Sequence, residues 1–247
     1  MTVRNNNSER DQISPVGGEF LNVVSIPARS GSKRLKNKNI KKINGVPLLA
    51  YSIRFAKQLA GIDRVFVNTD SPEYAAIARE YGAETPFLRP ANQASDTACL
   101  GDALSLLCEY LHKEEEVLIA KCLTLLPTSL FRNKVIVESA LDAADEYRLV
   151  ASVHEAQFNP QDYCIPRNGT TTALSSLIKE PFLDKCYTKG VGQFTIQGID
   201  IMPIKRMKLF KISNVFELVD IDTEEDFKLA ETIIREQLYD FGVDLGL

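Results

Sequence analysis

The sequence predicts one open α/β domain, and three observations support this fold class. Short apolar runs typical of buried strands alternate with segments in which apolar residues recur at helical spacing. A basic loop containing glycine follows the first of these runs. The chain has 247 residues, 45% of them hydrophobic and 25% charged, which suffices for a sizeable core. We therefore expect a mostly parallel sheet with right-handed crossovers and with ligands bound beyond the carboxyl ends of its strands.

Each element has a local reason in the sequence. After a polar tail over residues 1–20, order is expected to begin at Leu21, and Val23–Ile26 is the first buried strand. Pro47 suits the first turn of the helix that begins near 48, and Ser71-Pro72-Glu73 opens the next helix, closed by Gly82. Thr223 with Asp226 predicts a capping box on the last helix. The other predicted strands are 64–68, 85–88, 117–126, 149–153, 193–197 and 216–221, and the other helices are 100–111 and 133–146.

Residues 21–247 are expected to form a single domain with one insertion. The segment from about 154 to 190 is rich in Thr, Asn, Pro and Gly and has weak periodicity. It is too polar to fold alone, so it predicts a subdomain or arm inserted into the main domain rather than a linker.

Composition excludes several classes of protein. The net charge is −4, which argues against a chain whose main task is to coat nucleic acid. No apolar run approaches the roughly 18 residues of a membrane span. Five cysteines without C-x-x-C spacing and only two histidines fit neither a zinc site nor a disulfide framework. Free thiols in a reducing cytoplasm are the expectation.

The loop after the first strand, from Pro27 to Asn39, carries the strongest functional pattern. Its small residues let backbone amides approach an anion, and its Arg and Lys residues add positive charge. It matches neither a P-loop nor G-x-G-x-x-G. A solvated basic loop or a nucleic-acid patch is the alternative, although no aromatic residues interleave with the basic run.

Two further segments add to this pattern. Asp220 and Asp222 follow an apolar run, and at the end of a strand both carboxylates can approach one hard cation. Alternatively, Asp222 helps to cap the helix that starts near Thr223. The segment from Leu88 to Ala98 is by itself a loop leading into a helix, with Asp96 or Thr97 as its N-cap.

Together these segments resemble the acylneuraminate cytidylyltransferases, which activate sialic acid-like nonulosonic acids. The matching motifs, in the order in which the family has them over about 200 residues, are PARSGSKRLKNKNI (Pro27–Ile40), VNTD (Val67–Asp70), LRPANQASDTA (Leu88–Ala98), LLPTS (Leu125–Ser129) and VDIDTEED (Val219–Asp226). The resemblance implies a Rossmann-like nucleotide-diphosphosugar transferase fold. It also implies a homodimer, in which the inserted segment forms the dimerisation arm.

The resemblance assigns expected roles to individual residues. Arg29 and Lys38 match the pair that binds the triphosphate and are the expected catalytic cations, with Asp222 as the third catalytic residue. Asp220 and Asp222 match the pair that binds Mg²⁺. The nucleotide-binding set comprises Ala28, Arg29, Ser30, Gly31, Ser32, Lys38, Asn39, Arg89, Asp96, Thr97 and Ala98.

The implied reaction transfers CMP from CTP to the anomeric hydroxyl of a nonulosonic acid and releases pyrophosphate. The deprotonating base stays unassigned, with Asp220 or a metal-bound hydroxide as candidates. The alternatives are a cytidylyltransferase of the same fold for the eight-carbon acid Kdo and a catalytically inactive nucleotide-binding relative. An RNA-binding role for the basic run is a further alternative, which the missing stacking aromatics disfavour.

The sugar side departs from the family pattern. Leu126 stands where the family often has Gln, and Gly192-Gln193-Phe194 is similar to the pseudaminic acid branch. Leu126, Lys189 and Gln193 are the expected substrate-binding residues. An apolar wall at Leu126 favours a deoxy sugar with a methyl terminus, so we expect a pseudaminic-type acceptor.

Overall fold

The computed structural model describes residues 19–90, 100–156, 164–167, 170–173, 186–189, 195–198 and 207–246. The helices are α1 (Leu48–Ala56), α2 (Pro72–Glu80), α3 (Leu100–Glu115), α4 (Lys134–Ala143) and α5 (Glu224–Arg235). Short 3₁₀ helices span Lys38–Ile40 and Val215–Leu218. The strands are β1 (Glu19–Pro27), β2 (Lys42–Ile43), β3 (Val46–Pro47), β4 (Arg64–Asn68), β5 (Val117–Thr124), β6 (Leu149–Ala156), β7 (Cys164–Arg167), β8 (Thr170–Ala173), β9 (Cys186–Lys189), β10 (Thr195–Gly198) and β11 (Met207–Lys211).

One twisted mixed sheet forms the centre of the described chain. Its strand order is β11-β6-β10-β5-β1-β4, and β9 also pairs with β6. The pairs of β1 with β4 and with β5 are parallel, whereas β10 runs antiparallel to both β5 and β6. The carboxyl ends of β1, β4 and β5 therefore lie side by side at one edge of the sheet.

Helices cover both faces of the sheet, as the sequence predicts. Because successive strand residues point to opposite faces, Val24 and Ile26 enter one apolar cluster and Val23 enters the other. The first cluster includes residues of α1, α2, α4 and α5, and the second includes Leu107 and Leu111 of α3. The α/β fold class is confirmed.

Local capping rules explain where most helices begin. The Ser71 hydroxyl accepts from the Tyr74 amide at 3.3 Å, and the Asn133 side chain accepts from the first-turn amides of α4. Thr223 and Asp226 form the predicted capping box, with the Asp226 amide donating to the Thr223 hydroxyl at 3.2 Å. Gly82 has a φ of +84°, which suits a residue just after the end of α2.

Three predicted elements differ in the structure. Residues 85–88 form no strand, because only Glu84 makes a bridge to Phe66. The predicted strand 216–221 is wrong as well, since Asn214 caps a 3₁₀ helix at Val215–Leu218 and β11 lies earlier in the chain. Strand β1 already includes Glu19 and Phe20, which precede the expected start at Leu21.

The expected insertion over about 154–190 is described only in part. Within it, β7 and β8 form an antiparallel hairpin, and β9 joins the main sheet. Residues 1–18 of the expected tail lie outside the described residues. In the part of the chain that the structure describes, no helix is long and apolar enough to cross a membrane.

Candidate functional site

Three strand ends are joined by main-chain hydrogen bonds at the carboxyl edge of the sheet. The Ala28 amide donates to the Asn68 carbonyl at 3.0 Å, which joins the loop after β1 to the end of β4. The Arg89 amide donates to the Thr69 carbonyl at 2.8 Å, and the Leu125 amide donates to the Ser25 carbonyl at 3.1 Å. The segments predicted to bind nucleotide therefore converge at this edge.

The loop that follows β1, residues 28–41, is held by its own asparagines. Asn39 is buried, and its side-chain amide donates to the Arg29 carbonyl at 3.0 Å. Asn37 has a φ of +54° and its carbonyl accepts from the Ile40 amide, which turns the chain into the 3₁₀ helix at Lys38–Ile40. Asn39 was expected to contact nucleotide. In the structure its side chain stabilises the loop by its hydrogen bond to the main-chain carbonyl of Arg29.

Most of the loop amides expected to bind phosphate already have acceptors within the protein. Ala28 donates to Asn68, Ser30 donates to the Asp70 carboxylate, and Ser32 donates to the Ser30 carbonyl at 2.9 Å. The Gly31 amide has no acceptor among the described residues, and Gly31 is exposed. Of these four amides, that of Gly31 can therefore donate to an anion without losing an acceptor in the protein.

Asp222 meets two cations of the loop although it lies more than 180 residues further along the chain. The Lys38 ammonium donates to Asp222 Oδ1 at 2.7 Å, and Arg34 Nη1 donates to Oδ2 at 2.6 Å. The Lys38 side chain is only 13% exposed, whereas that of Arg34 is 73% exposed. The structure therefore brings the predicted triphosphate-binding lysine and the predicted metal-binding carboxylate to one place.

The interpretation of Asp222 as a helix cap is wrong in this structure. The capping contacts of α5 come from Thr223 and Asp226, and even the Asp222 amide donates to Asp226 Oδ2, at 3.1 Å. Ile221 is fully buried and its amide donates to the Thr128 carbonyl at 2.9 Å, which fixes the segment against the loop after β5. The Asp222 side chain is thereby left to face the loop cations, while Asp220 is exposed.

The donor set at this edge fits a magnesium ion. Among the described residues, no group of three or more His, Cys, Asp or Glu side chains forms a complete metal cage. Magnesium is usually held by one or two carboxylates together with substrate phosphates and water, so a complete cage is not required. Asp222, with Asp220 two residues away, supplies the hard oxygen ligands that such a site needs.

Arg89, predicted to bind nucleotide, is a buried arginine beside the loop that follows β1. Its residue exposure is 8%, and burial lowers the pKa of its guanidinium, whereas the Asp70 and Asp102 carboxylates oppose that shift. Repulsion from Arg29 acts in the same direction as burial, so the two arginines lie close enough to interact. Asp96, Thr97 and Ala98 lie outside the described residues.

The loop after β5 contains a fully buried arginine that the sequence analysis missed. Arg132 is 1% exposed, and its guanidinium donates to the Ser52 hydroxyl of α1 at 3.1 Å and to the Leu126 carbonyl. Burial lowers its pKa to about 9, against the attraction of Tyr239 and Asp220. Arg132 therefore fixes the main chain of the Leu125–Ser129 motif to α1.

The expected sugar-binding residues are described only in part. Leu126 is half-buried and lies two residues after the end of β5, and its role as a wall of the acceptor site stays a prediction. Lys189 is the last residue of β9, opposite Val153 of β6, and its side chain lies outside the described part. Gln193 lies outside the described residues entirely.

The cysteines agree with the expectation of free thiols where they are described. Cys108 and Cys122 are not in disulfides. Burial raises the pKa of the Cys122 thiol to about 12 and also raises that of Cys108, which keeps both protonated. Neither thiol therefore has the properties of a nucleophile.

Asp70, Arg34 and Arg132 are the site residues that sequence reasoning missed. Asp70 is the last residue of the VNTD motif, and its position directly after β4, at the ligand-binding edge of the sheet, could have indicated it. Arg34 was visible only as one of many basic residues. Arg132 follows the apolar pair Leu130-Phe131, and an arginine directly after buried residues was the only indication.

Comparison with solved structures confirms the fold. The chain is similar to the structure of CMP:2-keto-3-deoxy-manno-octonic acid synthetase complexed with CTP, with a TM-score of 0.62 and 17% identity, over 89% of this chain and 100% of that chain. At this identity the likeness shows the fold alone, which is a Rossmann-like α/β fold.

Sequence comparison then identifies the family. The family model described as Cytidylyltransferase matches residues 23–159. The CMP-N,N'-diacetyllegionaminic acid synthase of Legionella pneumophila is 30% identical over 227 residues, which is 85% of this chain and 94% of the relative. The pseudaminic acid cytidylyltransferase of Campylobacter jejuni serotype O:23/36 is 36% identical over 121 residues, which is 49% of this chain and 52% of the relative. The chain belongs to the cytidylyltransferase family and is a nucleotidyltransferase.

Proposed function

We propose that this enzyme transfers CMP from CTP to the anomeric hydroxyl of a nonulosonic acid. Relatives named for this activity support the substrate class, and the meeting of Lys38 and Asp222 at 2.7 Å carries the proposal. That contact joins a cation suited to the triphosphate to a carboxylate suited to its metal, at the ligand-binding edge of the sheet.

The residues divide the work between substrate binding and stabilisation of charge. The acceptor oxygen forms a bond to the α-phosphorus and the bond from that phosphorus to the bridging oxygen breaks. Pyrophosphate leaves with the electron pair of that bond, and Arg29 and Lys38 stabilise its negative charge. Asp222, with Asp220, would hold Mg²⁺, which neutralises phosphate oxygens when bound. The exposed Asp220 is a candidate acceptor for the proton of the attacking hydroxyl.

Binding of the nucleotide requires an exchange of partners at Asp222. Lys38 and Arg34 both bind its carboxylate, so each must turn part of its hydrogen bonding to the triphosphate when CTP enters. Because the Arg34 side chain is 73% exposed, its ion pair is weak and exchange costs little. Lys38 is nearly buried and can remain between Asp222 and the phosphates.

We propose a pseudaminic-type acceptor in preference to N-acetylneuraminic acid. The side chain of Leu126 is apolar and half-buried, so it offers no hydrogen bond to the hydroxylated tail of a sugar. Binding such a tail there would remove water from its hydroxyls without replacing the lost hydrogen bonds, which weakens binding. The carboxylate of the acceptor is proposed to bind Lys189 and Gln193. We further propose that the enzyme acts as a cytoplasmic homodimer.

Pyrophosphate release tests the activity. The purified protein is incubated with CTP, Mg²⁺ and, in separate reactions, pseudaminic acid, legionaminic acid, N-acetylneuraminic acid and Kdo. Release that requires CTP and a nine-carbon acid is expected, with the highest kcat/KM for the pseudaminic-type sugar. Release with Kdo alone would reassign the acceptor, and no release with any acid would indicate an inactive nucleotide-binding relative.

Sedimentation tests the assembly. A homodimer is expected at the concentrations used for the rate assay. A monomer that retains full activity at nanomolar concentration would contradict the proposed dimer.

A further inference from the structure

A carboxylate binds the phosphate loop at the residue where a phosphate was expected. Asp70 follows β4, and its Oδ1 accepts from the Ser30 amide at 2.8 Å while its Oδ2 accepts from the Ser30 hydroxyl at 2.7 Å. These two contacts involve both donors of Ser30. An acidic side chain beside a triphosphate site repels the ligand, so its presence there needs a reason.

We propose that Asp70 is a positioning residue for CTP, which acts by holding Ser30 so that Arg29 and the Gly31 amide face the phosphates. This inference rests on the proposed function. The two hydrogen bonds that Ser30 donates to this one carboxylate fix both the main chain and the side chain of Ser30. The Ser32 amide then closes a turn onto the Ser30 carbonyl at 2.9 Å, which leaves Gly31 exposed at the tip.

The charge of Asp70 has a second effect at the same place. Arg29 and Arg89 repel each other, and Asp70 attracts Arg89. The Asp70 carboxylate, together with that of Asp102, attracts Arg89 and so offsets its repulsion from Arg29 before nucleotide arrives. Asp70 lies one residue after Thr69, whose carbonyl holds the Arg89 amide, so it can affect both sides of the nucleotide site.

A double-mutant cycle on the full-length protein tests the proposal. Asp70→Ala, Ser30→Ala and the double variant are compared by equilibrium titration with CTP and by steady-state kinetics. Loss of charge-assisted hydrogen bonds predicts that Asp70→Ala raises the dissociation constant for CTP about tenfold or more. Ser30→Ala removes only the hydroxyl contact, so a smaller effect is expected, and the double variant should be no worse than Asp70→Ala.

Asp70→Asn provides the conservative rescue. An amide oxygen can still accept from the Ser30 amide, so this variant should recover a large part of the CTP affinity lost in Asp70→Ala. The KM for the acceptor sugar should stay within about twofold in every variant, since positioning acts on the nucleotide. A general loss of folded protein would instead lower kcat without a selective change in CTP affinity. If Asp70→Ala fails to fold, the CTP affinities of Asp70→Asn and Ser30→Ala still test the proposal.

The chain offers a matched control at the opposite end of β4. Asp63 also accepts from a main-chain amide, that of Asn22, at 2.7 Å, but it lies away from the carboxyl edge. Asp63→Ala should leave CTP affinity unchanged. Additive effects of Asp70→Ala and Ser30→Ala, or unchanged CTP affinity in Asp70→Ala, would overturn the positioning role. Absence of CTP binding to the wild-type protein would instead remove the proposed function itself.

Discussion

Two segments that meet at the carboxyl edge of the sheet are held in opposite ways. The loop at 28–41 is tied to the start of α5 by ion pairs that water can reach, with Arg34 73% and Asp222 39% exposed. The loop after β5 is tied to α1 by Arg132, which is fully buried. Exposed ion pairs exchange partners at little cost in free energy, whereas the folded protein is strongly destabilised when a buried cation loses its acceptors. The comparison suggests a site with one adaptable wall, for the triphosphate, and one fixed wall, for the acceptor.

The largest effect is expected from removing the charge of Asp222, the carboxylate of the adaptable wall that is proposed to hold Mg²⁺. Asp222→Asn should lower turnover by on the order of a thousandfold, because a neutral amide is a poorer ligand for Mg²⁺. The fold should persist, since Thr223 and Asp226 cap α5. Pyrophosphate release and thermal unfolding measure the two effects. Glu224→Gln, an exposed carboxylate that pairs with Lys41, is the control and should keep its turnover. Near-normal Mg²⁺-dependent turnover in Asp222→Asn would contradict a metal role.

Arg29→Ala should lower kcat by roughly 10²–10³-fold, the range for loss of one preorganised donor to the transition state. Arg29 belongs to the adaptable loop, yet Asn39 holds its carbonyl, so its main chain should stay in place. Steady-state kinetics with varied CTP decide the result. If only the KM for CTP rises, Arg29 binds substrate without stabilising the transition state.

Arg132→Met tests the fixed wall. Loss of the guanidinium leaves the Ser52 hydroxyl and the Leu126 carbonyl without that donor, which predicts a loss of about 2–3 kcal/mol in the free energy of unfolding. Urea denaturation measures it, with Arg235→Met as an exposed-arginine control. A stability within about 0.5 kcal/mol of wild type, the usual range for surface changes, would show that Arg132 does not anchor the loop.

Arg34→Met should have the smallest effect on stability, less than about 1 kcal/mol, since its ion pair is exposed. The more informative measurement on this variant is its affinity for a divalent metal ion. With one cation removed from Asp222, the free enzyme should bind Mn²⁺, used as a probe for Mg²⁺, more tightly than wild type. Titration without nucleotide followed by electron paramagnetic resonance measures this. Unchanged or weaker Mn²⁺ binding would show that Arg34 does not compete with the metal for Asp222.

Local chemistry explains which elements the sequence could predict. The caps at Ser71 and Thr223 and the buried run of β1 depend on residues within a few positions, and all three are confirmed. The strand predicted at 85–88 failed because strand formation needs a neighbour along its whole length, and only Glu84 has one. The strand predicted at 216–221 failed because Asn214 turns the chain into a 3₁₀ helix before the apolar run can extend.

The site was predictable as a set of segments but not as a set of contacts. Arg29, Lys38 and Asp222 were named from motifs, and the structure places Lys38 against Asp222. The contacts of Asp70 with Ser30 and of Arg34 with Asp222 span 40 and 188 residues, so no local pattern indicates them. Arg132 escaped notice because arginine is rarely buried, and burial depends on packing that the sequence does not display.

The pairing of loop cations with acidic side chains should affect which anions the loop binds when many anions are present in solution. Arg34 and Lys38 bind Asp222, and Lys41 binds Glu224, so three cations of the basic run carry internal counter-ions. At these three cations, a small anion such as inorganic phosphate must compete with a carboxylate that is already in place. A triphosphate that arrives with its metal supplies the loop with phosphate oxygens and Asp222 with a cation in the same event. We therefore expect the acidic side chains that neutralise these three cations, and not the basic residues alone, to contribute to selectivity for a metal-bound triphosphate over free phosphate.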